Sequence, residues 1–197
     1  MESEMDEALF SSAVAVEISA SFPVISDIQG AAPADRPDLH GDLPALPGAL
    51  GRGLAAVHDV RPPPSAQPLD LVACVQERFV RGEIRPDELP DPYRRYSAVR
   101  LVELWQDRHA PPDRSVCLVG AATIDRFLID RGEVAGLVAP FGLVGDRHLD
   151  LAVLHHSIHD TLGPEAVFGF YQAYGSDPDL VRLDHHVLTS LLLGWLR

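Results

Sequence analysis

Apolar positions along this chain recur at two spacings, and the switches between them predict its elements. Over residues 46–58, Leu50, Leu54 and Val57 return every three or four positions, the period of one helix face. Pro62-Pro63-Pro64 closes that segment, because proline lacks the N–H that would continue a helix and crowds the preceding turn. Further helices are expected at about 69–82, 93–108, 149–162, 164–174 and 177–195. Pro164 suits the first position of a helix, and Asp177-Pro178 reads as a capping acid followed by a first-turn proline. Runs dominated by β-branched residues, Ala13 to Ile18 and Phe22 to Ile25, predict two short strands near the start. A pair of β-hairpin strands is predicted within 116–138. Residues 30–48, rich in Pro, Ala, Gly and Asp, read as a loop, and the acidic stretch 86–92 as a turn. No internal repeat is present.

Composition narrows the class. A chain of 197 residues with 46% hydrophobic positions is long enough to bury a core, and one folded domain is the expectation. No apolar run approaches the ~20 residues that cross a bilayer, so no membrane association is expected. The acidic start, Met1-Glu2-Ser3-Glu4-Met5-Asp6-Glu7, does not resemble a secretory leader, and a cytoplasmic location is expected. Cys74 and Cys117 are too few for a disulfide scaffold and read as two buried thiols. The formal net charge of −13 opposes nucleic-acid binding, which depends on neutralising phosphates. It would suit a cationic ligand, although acidity also serves solubility. All 16 basic residues are arginine. Any chemistry that relies on a lysine point charge is therefore closed to this chain.

One stretch carries a recognisable pattern. It begins Val116-Cys117-Leu118-Val119-Gly120-Ala121-Ala122-Thr123-Ile124-Asp125-Arg126-Phe127-Leu128-Ile129-Asp130. It continues through Gly136-Leu137-Val138-Ala139 to Asp146-Arg147-His148-Leu149-Asp150-Leu151-Ala152. This resembles the catalytic segment of the aminoglycoside phosphotransferases, especially the 3′ branch. That family has a His-Gly-Asp, four residues, an Asn, an apolar strand ending in Asp, a second strand ending in Ile-Asp, a Gly-rich turn, and an Asp-Arg-aromatic-x-Asp-Leu-Ala helix start. Leu50 to Asp59 is similar to the family's first large-lobe helix, Ser26 to Ala34 to its interlobe hinge, and Gly163 to Leu183 to its C-terminal helices. The resemblance spans about residues 14–193.

The fold it implies is α+β: the mostly helical large lobe of a protein-kinase-like fold, with a small β-hairpin region and a remnant N-terminal strand segment. Residues 1–30 would be the remnant of the small lobe and hinge, and residues 31–197 the kinase-like C-terminal lobe. The same resemblance places the catalytic Asp at Ala121, the motif His at Val119, and the two metal positions at Arg126 and Ala139. Phosphoryl transfer needs a base to orient the hydroxyl, a metal held by carboxylate or amide oxygens, and cations around the phosphates. None of those groups stands at these positions. The expectation is a catalytically impaired or inactive phosphotransferase-like protein with no bound cofactor. ATP and magnesium would be used only if ancestral activity survives. The alternative is a non-catalytic interaction module, a homodimer or a protein partner covering the surface that a missing small lobe would leave.

Other constellations are weaker. His40-Gly41-Asp42 spells the motif start, but Pro47 follows where Asn should stand. Asp146, Arg147 and Asp150 have the spacing of a helix start in which acids cap amides and pair with arginine, and the resemblance makes them structural. Asp87, Glu88 and Asp91 would line an acidic groove for a cationic substrate, against the simpler reading of a solvated acidic loop. The family's acid pair near the C-terminus is replaced by Ser190 and Leu191. His155 and His159, four apart on one helix face, are a metal candidate with His185 or His186 as a third ligand. The competing reading is partly exposed surface histidines, and His185-His186 take the place of an aromatic pair in the family. No serine lies in a Gly-x-Ser-x-Gly context, so no nucleophile triad is expected.

Overall fold

The computed structural model describes residues 14–17, 24–25, 45–62, 64, 66–108, 113–139 and 143–196. The first helix, α1 (Ala45–Asp59), follows the predicted apolar stripe and buries Leu46, Leu50 and Leu54. Two of its glycines set how closely its neighbours approach. A Cβ on Gly51 would lie 2.4 Å from the carbonyl oxygen of Phe170, and one on Gly53 would lie 2.6 Å from Val134 Cγ2. α1 is thus wedged between α5 (Pro164–Tyr174) on one side and β6 (Glu133–Ala139) on the other.

Strands form two small sheets. In the first, β1 (Val14–Glu17) pairs antiparallel with β2 (Val24–Ile25) and with β6, and β6 pairs with β5 (Phe127–Asp130), giving the order β2-β1-β6-β5. The two strands predicted near the start therefore join the central hairpin in one sheet, with Val14 opposite Ala139 and Glu17 opposite Gly136. The tight β5–β6 turn uses Arg131 and Gly132, both at positive φ. The second sheet is β3 (Gln67–Pro68), β7 (Leu143–Asp146) and β4 (Ser115–Cys117), with β7 in the centre. Here the structure corrects the sequence reading. The hairpin occupies only β5 and β6, while β4 turns away to pair with β7.

The remaining helices are α2 (Leu71–Val80), α3 (Ala98–Asp107), α4 (Arg147–Leu162) and α6 (Leu180–Leu192). α3 begins five residues later than predicted, because Ser97 caps it by accepting the Arg100 N–H, while Tyr93–Arg95 form a separate 3₁₀ turn. α6 also starts late. Its cap is Asp179, which accepts the Val181 and Arg182 amides, and not Asp177.

Two main cores result. One gathers Leu50, Leu54, Phe127, Leu151, Leu154, Ile158 and Phe170 between α1, the hairpin, α4 and α5. The other joins α2, α3 and α6 through Val75, Leu101, Trp105, Leu188 and Leu192. Each fully buried side chain of this size contributes about 1.5–3 kcal/mol. Among the described residues, no helix is long and apolar enough to cross a membrane. His40-Gly41-Asp42 and the proposed hinge lie outside the described residues.

Candidate functional site

The loop from Val119 to Arg126 leaves β4 and enters β5, and α4 holds it at two points. Asp150, fully buried, accepts the amide of Val119 at 2.6 Å and that of Gly120 at 2.9 Å. Ser157, two helical turns on, accepts the amide of Ile124 at 3.0 Å. Positions seven apart on a helix share a face, so one face of α4 fastens both ends of the loop. Between these anchors Gly120 has φ 65° and Ala121 has φ 43°. Two consecutive left-handed residues reverse the chain, a conformation that costs a residue with a Cβ roughly 1–2 kcal/mol.

Behind Asp150 lies a buried polar chain. His58 Nε2 is 3.3 Å from its Oδ2, and His58 Nδ1 is 2.8 Å from the hydroxyl of Tyr174. Burial pushes the Tyr174 phenol up, so the hydroxyl keeps its proton and can donate to His58. The imidazole then donates from Nε2 to Asp150. α1, α4, α5 and the loop are tied through these three side chains. Neither His58 nor Tyr174 stands in a motif that marks it as a site residue in the sequence. The available signal was spacing: His58 continues the Leu50, Leu54 series at intervals of four and lies on the buried face.

Asp146 and Arg147 stand at the other end of this system. Asp146 caps α4, its Oδ1 accepting the His148 amide at 2.9 Å. Its Oδ2 accepts from the Asp113 amide at 3.1 Å and from Arg182 at 3.4 Å. Burial alone would raise the Asp146 carboxyl. Hydrogen bonds from the His148 and His186 rings and from the His148 and Asp113 amides outweigh it and hold the group far below the usual carboxylate range. Arg147 pairs with Asp113 at 3.0 Å and donates to Ser176. Asp146, Arg147 and Asp150 thus all bind the framework around the loop.

The other sequence candidates fall elsewhere. Ala121 is half-buried within the loop and presents only a methyl group. Arg126 ends a 3₁₀ turn, Ile124–Arg126, half-buried, on the same loop as Ala121. Ala139 ends β6 opposite Val14. In the 86–92 stretch, Glu88 pairs with Arg85 at 3.0 Å and Asp91 with Arg94 at 3.3 Å, so nearby arginines partly cancel the negative field expected there. Asp87 is exposed on the same turn. His155 is half-buried against the Tyr171 hydroxyl at 3.0 Å, whereas His159 is exposed and pairs with Asp160. Among the described residues, no group of three or more His, Cys, Asp or Glu is placed to hold a metal ion. His185 and His186 are buried, His185 stacked on Trp105 and His186 stacked on His148. The thiols of Cys74 and Cys117 are half-buried and free, and burial raises both.

Comparison with solved structures places this arrangement. An aminoglycoside-3′-phosphotransferase of type VIII superposes with a TM-score of 0.72 at 18% identity, over 95% of this chain and 77% of its own. The chain has the aminoglycoside phosphotransferase fold. The aminoglycoside phosphotransferase APH(3″)-Id from Streptomyces rimosus is similar over 84% of this chain and 67% of its own, with a TM-score of 0.69 and 20% identity. A choline/ethanolamine kinase family protein from Mesorhizobium loti is more distant, with a TM-score of 0.56 at 18% identity over 88% and 58%. No protein-family model matches the sequence, and no curated protein matches it. At these identities the likeness is one of phosphotransferase fold alone, and chemistry has to be argued from the side chains.

Proposed function

We propose that this chain is a phosphotransferase-fold protein without ordinary kinase activity. The observation that carries this reading is the loop itself. Asp150 and Ser157 hold it in place, yet the position that the family resemblance assigns to the catalytic acid is Ala121, a methyl group. A methyl group neither accepts a proton nor orients a hydroxyl. Arg126, at one position assigned to metal binding, brings a cation where a magnesium ligand would be an oxygen, and would repel the ion. The other such position is Ala139, and no lysine exists to meet nucleotide phosphates. Removing one group of a catalytic unit typically costs orders of magnitude in rate, and removing the rest adds little further loss. Any surviving ligand binding would be metal-free and would engage the Arg126 guanidinium.

The test is calorimetric titration of the protein with ATP and GTP, with and without magnesium. A coupled phosphotransfer assay over aminoglycosides accompanies it. The expected result is no turnover and no magnesium-dependent binding. Magnesium-dependent saturation together with turnover would overturn the reading. Nucleotide binding that is independent of magnesium and lost in Arg126→Ala would show that the pocket survives without its chemistry.

A second reading, a non-catalytic interaction module, draws on apolar side chains that stand in solvent. Val80, Phe168, Leu180 and Val181 are each about three-quarters exposed or more. Light scattering at high concentration tests it, and a strict monomer would remove self-association.

A further inference from the structure

The buried cluster around Asp146 contains more than a helix cap needs. His148 is fully buried, and both of its ring nitrogens are committed. Nδ1 lies 2.9 Å from Asp146 Oδ1, and Nε2 receives the backbone N–H of Asp179 at 3.2 Å. The second contact dictates the protonation state. An amide N–H can only donate, so Nε2 must offer a lone pair, and the proton sits on Nδ1 facing the carboxylate. His148 is therefore neutral in this arrangement. Asp179 is the N-cap of α6, so one lone pair on α4 holds the start of α6 in place. The sequence pattern sharpens the point, because the resemblance puts aromatic residues at 148 and at the 185–186 pair, and an aromatic hydrocarbon ring takes no proton.

We propose that His148 is a proton-operated latch between the N-termini of α4 and α6, closed when the ring is neutral and opened by acid. A proton on Nε2 would turn the acceptor into a donor aimed at the Asp179 N–H, and that contact would be lost. The surroundings oppose a compensating gain. Arg182 already places a positive charge 3.4 Å from the Asp146 carboxylate, and the same guanidinium lies 3.6 Å from the half-exposed carboxylate of Asp179, whose other oxygen accepts the Val181 and Arg182 amides. His186 stacks on His148 with Nε2 3.6 Å from Asp146, and its Nδ1 has no hydrogen-bond partner among the described residues. A proton taken up there would add further positive charge. His185 lies against His186 and Trp105 on the same seam. The other nearby charges are engaged elsewhere: Arg147 with Asp113, and Asp150 with the Val119 and Gly120 amides. Acid therefore adds positive charge to buried rings inside the seam and removes the bond that docks α6.

The test is hydrogen exchange of the full chain at about pH 7.5 and about pH 5.0, values that bracket ordinary imidazole titration. Rates are corrected for intrinsic pH dependence and read over residues 175–183, in wild type and in His148→Gln. Glutamine keeps a carbonyl acceptor near Nε2 but takes no proton. Wild type is expected to lose ~10-fold or more protection at the acid pH, the scale of one broken buried hydrogen bond, while the variant stays flat. Wild-type protection that does not change, or an equal loss in the variant, would overturn the latch. Should His148→Gln not fold, nitrogen NMR of the wild-type ring decides. The latch requires an Nδ1-protonated ring at the higher pH that gains its second proton as residues 175–183 lose protection. A ring already doubly protonated at the higher pH, protonated with protection intact, or neutral throughout, would refute it.

Discussion

Single residues in this chain show how the loop between β4 and β5 is held. Asp150 is the clearest case, a fully buried carboxylate that accepts two amides and faces His58. Asp150→Ala would strand all three donors in the core. The expected cost is roughly 3–5 kcal/mol in urea unfolding, with Asp150→Asn less damaging because one acceptor oxygen remains. Ala121 behaves in the opposite sense. Its φ of 43° is strained for any residue with a Cβ, so Ala121→Gly should stabilise the protein by about 1 kcal/mol. Ala121→Asp is the sharper experiment. It restores the acid at the position that the resemblance assigns to catalysis, yet Arg126 and Ala139 remain. Its phosphotransfer rate with ATP and magnesium should stay indistinguishable from wild type. A measurable rate in that single variant would mean that the rest of the site is still competent.

At the level of elements, what could be read in advance follows from how local each signal is. α1 and α5 were readable because one has an apolar stripe and the other starts at Pro164 and ends at Gly175. α4 shows little stripe for a physical reason. Residues 148 to 154 are all buried, so its first two turns have no solvent face to mark with polar residues. β3, β4 and β7 are two to four residues long and pair across long stretches of sequence, which leaves no period to detect. The alanine at the position that the resemblance assigns to catalysis is visible in sequence, but the chain from Tyr174 through His58 to Asp150 is not. His58 and Asp150 lie 92 positions apart and meet only after α1 packs beside α4. The α1–α5 seam supplies its own test. A methyl group at Gly51 would meet the Phe170 carbonyl oxygen at 2.4 Å, and backbone cannot swing aside. Gly51→Ala should therefore destabilise by roughly 1–3 kcal/mol despite alanine's better helix propensity. For a chain of this size that lowers Tm by about 3–10 °C. Gly175→Ala, where a Cβ meets nothing but φ is 83°, would instead test backbone strain alone.

For the whole molecule, two buried groups at one seam should respond to pH in separate windows, and the separation can be measured. The His148 contact requires a neutral ring, so its contribution is present while Nε2 keeps its lone pair and is lost when acid protonates it. Asp146 acts lower. Its carboxyl is held far below the usual range by the hydrogen bonds it accepts, so the unfolded chain binds a proton more readily than the native state. Its contribution is therefore complete above the unfolded Asp value of about 3.9 and is lost as pH falls further toward the folded value. Asp146→Asn keeps an oxygen to cap α4 but abolishes the charge. At neutral pH the variant should be less stable by on the order of 2 kcal/mol, the scale of a paired buried carboxylate. The gap between the two proteins should then narrow between about pH 4 and pH 2, because wild type loses what the variant never had. Other carboxylates titrate in both proteins, so the difference in urea midpoint isolates Asp146. A gap that stays constant down to the lowest pH at which both fold would mean that the charge at Asp146 contributes nothing to stability. The residue would then serve this seam only as a helix cap.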